Sequence, residues 1–292
     1  MAAPIFIEPG ETPVWQPQSR TALVTLAIGP AYRANWQRLA RASWQVYCDR
    51  FGFDLIVISR FLDASPLAAS RSPAWQKLLI LSQPWSAGYE RLLWLDADIL
   101  IRPHAPDIRL GVPLEKVGAV DNYAQLSPVE SQIRLERSSA ATRPQLPPVQ
   151  SLAEVSWAWE RFINHMYRNL EKLDTAETRM LNTGVMLLSP AHHRTLLETV
   201  YSTYPQRTQG YEQLPLSLHL FRDNLCYLLN PRFNWGLFEI LAVHCPRLLS
   251  KEEPFPRELF RELLAGQMQN AWFLHFAGVG WMMGELEGVE RA

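Results

Sequence analysis

The chain has 292 residues, of which 48% are hydrophobic and 20% charged, and its formal net charge is -1. This composition is typical of a globular protein, and the length suits one large α/β domain or two small ones. A nearly neutral chain without long runs of Lys or Arg lacks the charge excess that attracts nucleic acid, so we expect no nucleic-acid partner.

Cysteine usage and the N-terminal sequence both favour a cytoplasmic protein. Cys48, Cys226 and Cys245 are far apart and odd in number, which argues against a zinc site and a disulfide framework. The N-terminus has no basic segment leading into an apolar one, and no stretch approaches the roughly 20 apolar residues of a transmembrane helix. We therefore predict no transmembrane segment; the sequence leaves the oligomeric state open.

The first 120 residues alternate between strand and helix patterns after an N-terminal tail, which we predict over 1–19. The predicted elements are strands over 21–28, 53–58, 91–95 and 117–120, and helices over 32–50 and 74–83. Uninterrupted apolar runs are typical of strands buried on both faces, and apolar spacings of three and four indicate amphipathic helices. The β-α-β order predicts a parallel sheet with right-handed crossovers.

The second half is less regular. Ser, Gln, Arg and Pro dominate 122–150, so we predict a long insertion over 122–160 that forms the acceptor side of a cleft. Beyond the insertion, the predicted elements are strands over 181–188 and 272–276 and helical segments over 192–204 and 214–229. Because no internal repeat or clear linker is present, we predict a single domain over 20–292.

An acidic pair, Asp96 and Asp98, follows the third predicted strand directly. Residues i and i+2 of a strand share a face, and open α/β sheets bind ligands at the carboxyl ends of their strands. Two carboxylates without a nearby Cys suit a hard divalent cation that keeps positions for phosphate oxygens. One alternative is a pair of solvated loop acids. Another is an aspartyl-phosphate phosphatase motif, but that motif has Thr or Val at its fifth position, where this chain has Leu100.

Three further motifs follow the acidic pair: Asn182-Thr-Gly-Val185, Glu212-Gln213 and His275-Phe-Ala-Gly278. In order and spacing, the four motifs resemble the nucleotide-sugar glycosyltransferases of the GT-A fold, especially the retaining group that contains families 8 and 34. The resemblance implies a Rossmann-like α/β fold with a mostly parallel sheet and a smaller acceptor-side subregion. It also implies sugar transfer, with retention, from a nucleoside-diphosphate sugar to a hydroxyl of a glycan, glycolipid or other acceptor, UDP-sugars being favoured over GDP-sugars.

The resemblance further implies a metal centre. Asp96, Asp98 and His275 would bind Mn²⁺ or Mg²⁺, and Asp96 would also lie near the donor ribose. Gly278 would belong to the same late donor-binding segment. Family 8 enzymes usually carry Lys and Pro-Trp after this glycine, whereas this chain has Val-Gly-Trp-Met-Met over 279–283. That difference makes family 34, or an unassigned relative, the closer match.

Four residues are implied to contact the donor sugar. Asn182 would bind its hydroxyls, and Gly184 would allow close backbone approach. Glu212 would hold sugar hydroxyls and Gln213 would lie below the anomeric carbon as the catalytic pair. Family members usually have Asp before this Gln, so Glu212 is longer by one methylene group.

The nucleotide and the acceptor complete the expected site. Ala27 and Tyr32 correspond to residues that cradle uracil and ribose, and Lys77 to a basic residue near the donor phosphates. Asp121, after the fourth strand, is an acceptor-side candidate for a catalytic role. In the insertion, three arginines could meet an anionic acceptor, although solvated surface is the simpler interpretation: Arg134, Arg137 and Arg143.

Two other functions stay open. A nucleotidyltransferase would also use acids and Mg²⁺, but the segment 28–32 lacks its Gly-rich basic loop. A non-catalytic sugar-binding protein with a transferase-like fold would use some of the eleven Trp residues to stack on sugars.

Overall fold

The computed structural model of the protein describes residues 3–8, 15–137, 152–170, 172–204, 211–250 and 255–286. Part of the predicted insertion, including Arg143, lies outside the described residues. No helix in these ranges combines the length and apolar character that spanning a membrane requires.

The described strands form two sheets. In chain order they are β1 (Ile5–Ile7), β2 (Thr21–Leu26), β3 (Asp54–Ile58), β4 (Arg91–Leu95), β5 (Ile99–Ile101), β6 (Val117–Asp121), β7 (Leu181–Leu188), β8 (Cys226–Leu228), β9 (Trp235–Gly236) and β10 (Phe273–His275). Seven of them form a central sheet in the order β1-β3-β2-β4-β7-β6-β8, and β5-β10-β9 form a small one.

The central sheet is mostly parallel, as the sequence predicts. β1, β3, β2 and β4 pair in parallel, and β8 pairs in parallel with β6. The exception is β7, which runs antiparallel between β4 and β6. This reversal places the beginning of β7 beside the carboxyl end of β4, where the amide of Asp96 donates to Gly184 O at 2.8 Å.

Helices cover both faces of the sheet. The α-helices are α1 (Pro30–Asn35), α2 (Arg41–Phe51), α3 (Pro66–Ala69), α4 (Pro128–Glu136), α5 (Leu152–His165), α6 (Pro190–Thr203), α7 (Gln213–Arg222), α8 (Leu237–His244) and α9 (Arg257–Asn270). The 3₁₀-helices are Pro73–Ser82, Pro84–Gly88, Pro231–Asn234, Pro246–Leu249 and Gly280–Leu286, and the π-helical segments are Trp36–Ala40 and Met166–Leu170.

Two hydrophobic cores lie on opposite faces of the sheet, because successive strand residues face opposite sides. Leu93 of β4 packs with α2 and α9, whereas Leu92 packs with α6 and the 3₁₀-helix Pro73–Ser82. Three tryptophans in these cores are at most 1% exposed: Trp36, Trp44 and Trp75. A third cluster joins α4 and α5, which belong to the predicted insertion. The α/β class with helices on both faces is thus confirmed.

Three predicted elements differ from the structure. Within the predicted tail 1–19, β1 pairs with the outer edge of β3. The apolar run 214–229 divides into α7 and β8, because Asn224 has a left-handed φ of 50° that reverses the chain. The insertion contains α4, which begins with a capping box between Ser127 and Glu130. That Ser-x-x-Glu signal is present in the sequence but was obscured by the surrounding polar residues.

Candidate functional site

The structure brings the three predicted metal ligands together. Asp96 and Asp98 follow β4, and His275 ends β10; one ligand atom from each lies within 4.8 Å of the others. His275 Nε2 is 3.3 Å from Asp98 Oδ1 and 3.9 Å from Asp96 Oδ2. Two carboxylates and one imidazole form a suitable oxygen- and nitrogen-rich donor set for Mn²⁺ or Mg²⁺.

The small sheet sets the spacing of these ligands. β5 begins immediately after Asp98 and pairs antiparallel with β10, so that Ile99 lies opposite His275. The amide of Phe276 donates to Asp98 O at 2.9 Å. Residues that are far apart in sequence therefore become neighbours through one strand register.

Asn234 fixes the orientation of the imidazole. His275 Nδ1 lies 2.8 Å from Asn234 Oδ1, and the Asn234 amide group donates to Asn182 O at 3.1 Å. Because an amide oxygen only accepts, this contact assigns the proton to Nδ1 and directs the Nε2 lone pair toward the acids. Asn234 is therefore a supporting residue of the kind that commonly orients metal-binding histidines.

Asp98 is a carboxylate in this arrangement. Burial alone would raise the pKa of Asp98, but when His275 carries a second proton on Nε2, its charge and hydrogen bond outweigh burial and hold the pKa below its usual value. The group therefore keeps the ionised form that a hard cation requires.

Replacing Asn234 by Ala is expected to weaken Mn²⁺ binding by about 10- to 100-fold, because the ring of His275 loses its orienting acceptor. Titration calorimetry with Mn²⁺ measures this change. Asn234→Asp retains an acceptor for Nδ1 and should lose less affinity than Asn234→Ala. Equal affinity in the wild type and Asn234→Ala would contradict the orienting role.

Gly184 makes room for the His275 ring. A β-carbon at position 184 would lie 2.8 Å from His275 Nδ1 and 3.0 Å from Nε2, and closer still to Cε1. Real β-carbons essentially never approach so closely, so any side chain here displaces the imidazole or the strand. The predicted role of Gly184 toward the sugar stays a prediction, and the structure adds that its immediate neighbour is His275, a proposed metal ligand.

Lys77 is a buried link between the acidic pair and Glu212. Its Nζ lies 2.9 Å from both Asp96 Oδ1 and Glu212 Oε1, and donates to Thr183 O at 3.3 Å. Burial lowers the pKa of Lys77, but the two carboxylates, Asp96 first, outweigh it and raise the pKa above its usual value. Lys77 is therefore a permanent positive charge at this position.

Glu212 has one satisfied and one unsatisfied oxygen. Thr183 Oγ1 donates to Oε1 at 2.7 Å, whereas Oε2 is buried and has no hydrogen-bond partner within the described ranges. Glu212 is 1% exposed yet contributes to the wall of a cavity. A buried carboxylate oxygen without a donor is costly, so the site is suited to a ligand that supplies a hydroxyl.

Two adjoining cavities meet at the acidic pair. The larger, of about 490 Å³, is lined by most of the predicted site residues: Tyr32, Lys77, Asp96, Asp98, Asn182, Gly184, Glu212, Gln213, His275 and Gly278. The smaller, of about 350 Å³, shares Tyr32, Lys77 and both acids with the larger one. Its remaining walls are largely apolar and include Leu26, Ile28, Pro73 and Trp94.

Two predicted residues lie outside this arrangement. Ala27 is fully buried in the core, and its neighbours Leu26 and Ile28 line the smaller cavity, because alternate strand residues face opposite sides. Asp121 lines neither cavity; its Oδ1 accepts from Tyr123 N at 3.0 Å, and the adjacent Asn122 reaches the larger cavity. In both cases the prediction missed the facing residue by one position.

Several lining residues were not predicted. Tyr211, Phe238 and Glu239 line the larger cavity, and Tyr211 has a left-handed φ of 54°. Asn234 and Thr183 support the site from behind. Asn234 lies between Phe and Trp without a motif of its own, so only the long-range contact with His275 identifies it.

No protein-family model matches the sequence, and no curated protein matches it. The shape is similar to a glycosyltransferase involved in the glycosylation of the major capsid of PBCV-1 (14% identity, 90% of this chain and 98% of that chain covered, TM-score 0.48). It is similar to the bifunctional glycosyltransferase WbbM (12% identity, 91% and 46% covered, TM-score 0.48). It is also similar to the galactosyltransferase LgtC with donor and acceptor sugar analogs (14% identity, 87% and 86% covered, TM-score 0.43). All three of these structures are of glycosyltransferases.

Proposed function

We propose that the protein is a metal-dependent glycosyltransferase that moves a sugar from a nucleoside-diphosphate sugar to an acceptor hydroxyl. The observation that carries this proposal is the position of the Asp96, Asp98 and His275 group, which lies where two cavities with different lining residues meet. A nucleotide sugar has the matching order of parts: a base with flat faces that pack on apolar side chains, a charged diphosphate and a hydroxylated ring.

The cavity walls support a direction for the donor. The smaller cavity has the apolar residues Leu26, Ile28 and Trp94, which suit a base and ribose. The larger one has Asn182 and Glu212, which suit sugar hydroxyls. In this orientation the diphosphate lies at the acidic pair, and a UDP-sugar is our preferred donor over a GDP-sugar on the resemblance of the motifs.

The chemistry follows from the charges. A divalent ion held by Asp96, Asp98 and His275 would stabilise, as a Lewis acid, the negative charge that develops on a departing diphosphate. Lys77 adds a fixed positive charge next to Asp96. On the resemblance of the motifs we propose that the transfer occurs with retention. Because Gln213 is a poor nucleophile, a stable covalent intermediate on it is not expected, and the acceptor would attack from the front side.

A panel assay tests the proposal. Purified protein with Mn²⁺ is incubated with UDP- and GDP-sugars, and the release of nucleoside diphosphate is followed. Pyrophosphate release would instead support a nucleotidyltransferase. Sugar binding without turnover would support a non-catalytic sugar-binding protein. Burial of Trp36, Trp44 and Trp75 argues against that class as far as these three residues are concerned, because their rings cannot stack on a ligand.

Replacing Glu212 by Gln is expected to lower donor turnover by about 10- to 100-fold, because a charged acceptor with two oxygens is replaced by a neutral amide with one accepting oxygen, which binds a sugar hydroxyl more weakly. Gln retains the volume of the buried side chain. Initial rates of nucleoside diphosphate release measure the effect, and Mn²⁺ titration checks the metal group. A parallel loss of Mn²⁺ affinity would mean that Glu212 acts through Lys77 and Asp96 rather than on the sugar.

A further inference from the structure

The beginning of α8 forms one wall of the larger cavity. Phe238 and Glu239 lie in its first turn and both line the cavity, partly buried. The preceding residue Gly236 is held by Gln125, whose amide group donates to Gly236 O and whose oxygen accepts from Gly236 N, both at 2.7 Å. This double hydrogen bond fixes the start of the helix and hence the two side chains.

Arg134 of α4 and Arg137, which follows α4 directly, both bind to α8. Arg134 Nε donates to Glu239 Oε2 at 2.6 Å, with side-chain exposures of only 15% and 13%. Arg137 Nη1 donates to the carbonyl oxygens of Ala242 and Val243, each at 2.7 Å, near the end of α8. Both side chains therefore position α8, whereas the sequence suggested an anionic acceptor or solvated surface.

The charge of the cavity wall is acidic. Among the described residues that line the larger cavity, Lys77 is the basic one, and it is already engaged by two carboxylates. The acidic ones are Asp96, Asp98, Glu212 and Glu239. Away from the proposed metal group, where Glu212 and Glu239 line the cavity, a ligand must therefore offer hydrogen-bond donors rather than negative charge, since carboxylates only accept and repel anions.

Phe238 adds an apolar face near the metal group. A β-carbon at Gly278 would lie 3.7 Å from Phe238 Cδ2, so the ring borders the segment that follows His275. An aromatic ring beside a carboxylate matches the two faces of a sugar, whose C–H bonds are apolar and whose rim carries hydroxyl donors.

We propose that Phe238 and Glu239 form the acceptor subsite and that the acceptor is a neutral sugar. The ring packs against Phe238, and its hydroxyls donate to Glu239, which Arg134 positions. That this sugar is the acceptor rests on the proposed transferase function. That a neutral sugar binds here rests on the cavity wall itself.

The test measures sugar binding and turnover separately. Binding of neutral methyl glycosides (galactoside, glucoside, mannoside and xyloside) and of methyl glucuronide is followed by saturation-transfer NMR. The variants are Phe238→Ala, Phe238→Tyr and Glu239→Gln. Phe61→Ala removes an aromatic side chain that is 43% exposed elsewhere, and Glu258→Gln changes an acid in the first turn of α9, so these are the matched controls.

We expect the best neutral glycoside to bind the wild type at least about tenfold more tightly than the glucuronide. Phe238→Ala and Glu239→Gln should each weaken its binding by about tenfold or more, and Phe238→Tyr should restore the affinity lost in Phe238→Ala. Failure of every neutral glycoside to bind, preference for the glucuronide, or unchanged affinity in both variants would overturn the subsite. Glycoside binding with no nucleoside diphosphate release from any donor would contradict the transferase function alone.

Discussion

Asp98→Asn and His275→Ala are each expected to lower metal-dependent nucleotide-sugar turnover by at least about 1,000-fold. A bound divalent ion stabilises transition-state charge by several kcal/mol, and about 4 kcal/mol corresponds to this factor. Asn keeps the shape of Asp98 but removes the negative charge that a hard cation needs. His275→Ala should lower turnover by a similar factor, because it removes the proposed ligand atom Nε2, which lies 3.3 Å from Asp98 Oδ1.

The measurement combines nucleoside diphosphate release with Mn²⁺ titration followed by electron paramagnetic resonance. Two exposed residues serve as controls of the same type, Asp49→Asn and His104→Ala, and should change neither quantity by more than about twofold. If either site variant kept a tenth of the wild-type turnover with Mn²⁺ bound normally, the three-ligand assignment would be wrong.

Gly184→Ala should disrupt the site through a single methyl group. The new β-carbon would overlap the His275 ring, which is held in place by Asn234. Overpacking of this kind costs about 1–3 kcal/mol of folding free energy. Moving the imidazole should also weaken Mn²⁺ binding by about 100-fold or more, because the ligand atom leaves the acids.

Chemical denaturation and Mn²⁺ titration report the two effects of Gly184→Ala. Gly266→Ala is the matched control, because a β-carbon there meets nothing within 4 Å. Gly266 lies inside α9, so its replacement should stabilise the protein by up to about 1 kcal/mol. A Gly184→Ala protein that bound Mn²⁺ normally would show that β7 can shift without loss of the site.

The sheet was predictable where the chain gives strong local signals. The apolar runs of β2, β3 and β4 are buried on both faces, and such runs have few other interpretations. The reversed direction of β7 was not predictable, because its apolar run resembles those of the parallel strands. The division of 214–229 into helix and strand likewise depends on one left-handed residue, Asn224.

The site was predictable where residue type and chemistry coincide. Asp96, Asp98 and His275 belong to motifs that a metal-dependent transferase needs, and they lie together. Which residue at a strand end faces the cleft was harder to predict. The residues that line the cavities are the neighbours of Ala27 and Asp121, one position away, because local sequence does not fix which side of a strand end faces the cleft. Phe238 and Glu239 belong to no sequence motif. Their positions depend on contacts with Gln125 and Arg134, which are more than 100 residues away in the sequence and which local sequence does not predict.

The pairing of β5 with β10 has a consequence for the order of assembly during folding. It joins positions 99 and 275, so the chain must close a very long loop before this contact forms, and such contacts are slow to nucleate. A slip of one residue in this pairing would turn His275 to the opposite face. During refolding, metal binding should therefore recover later than the central sheet forms. Its recovery would show when β5 and β10 have paired in the correct register.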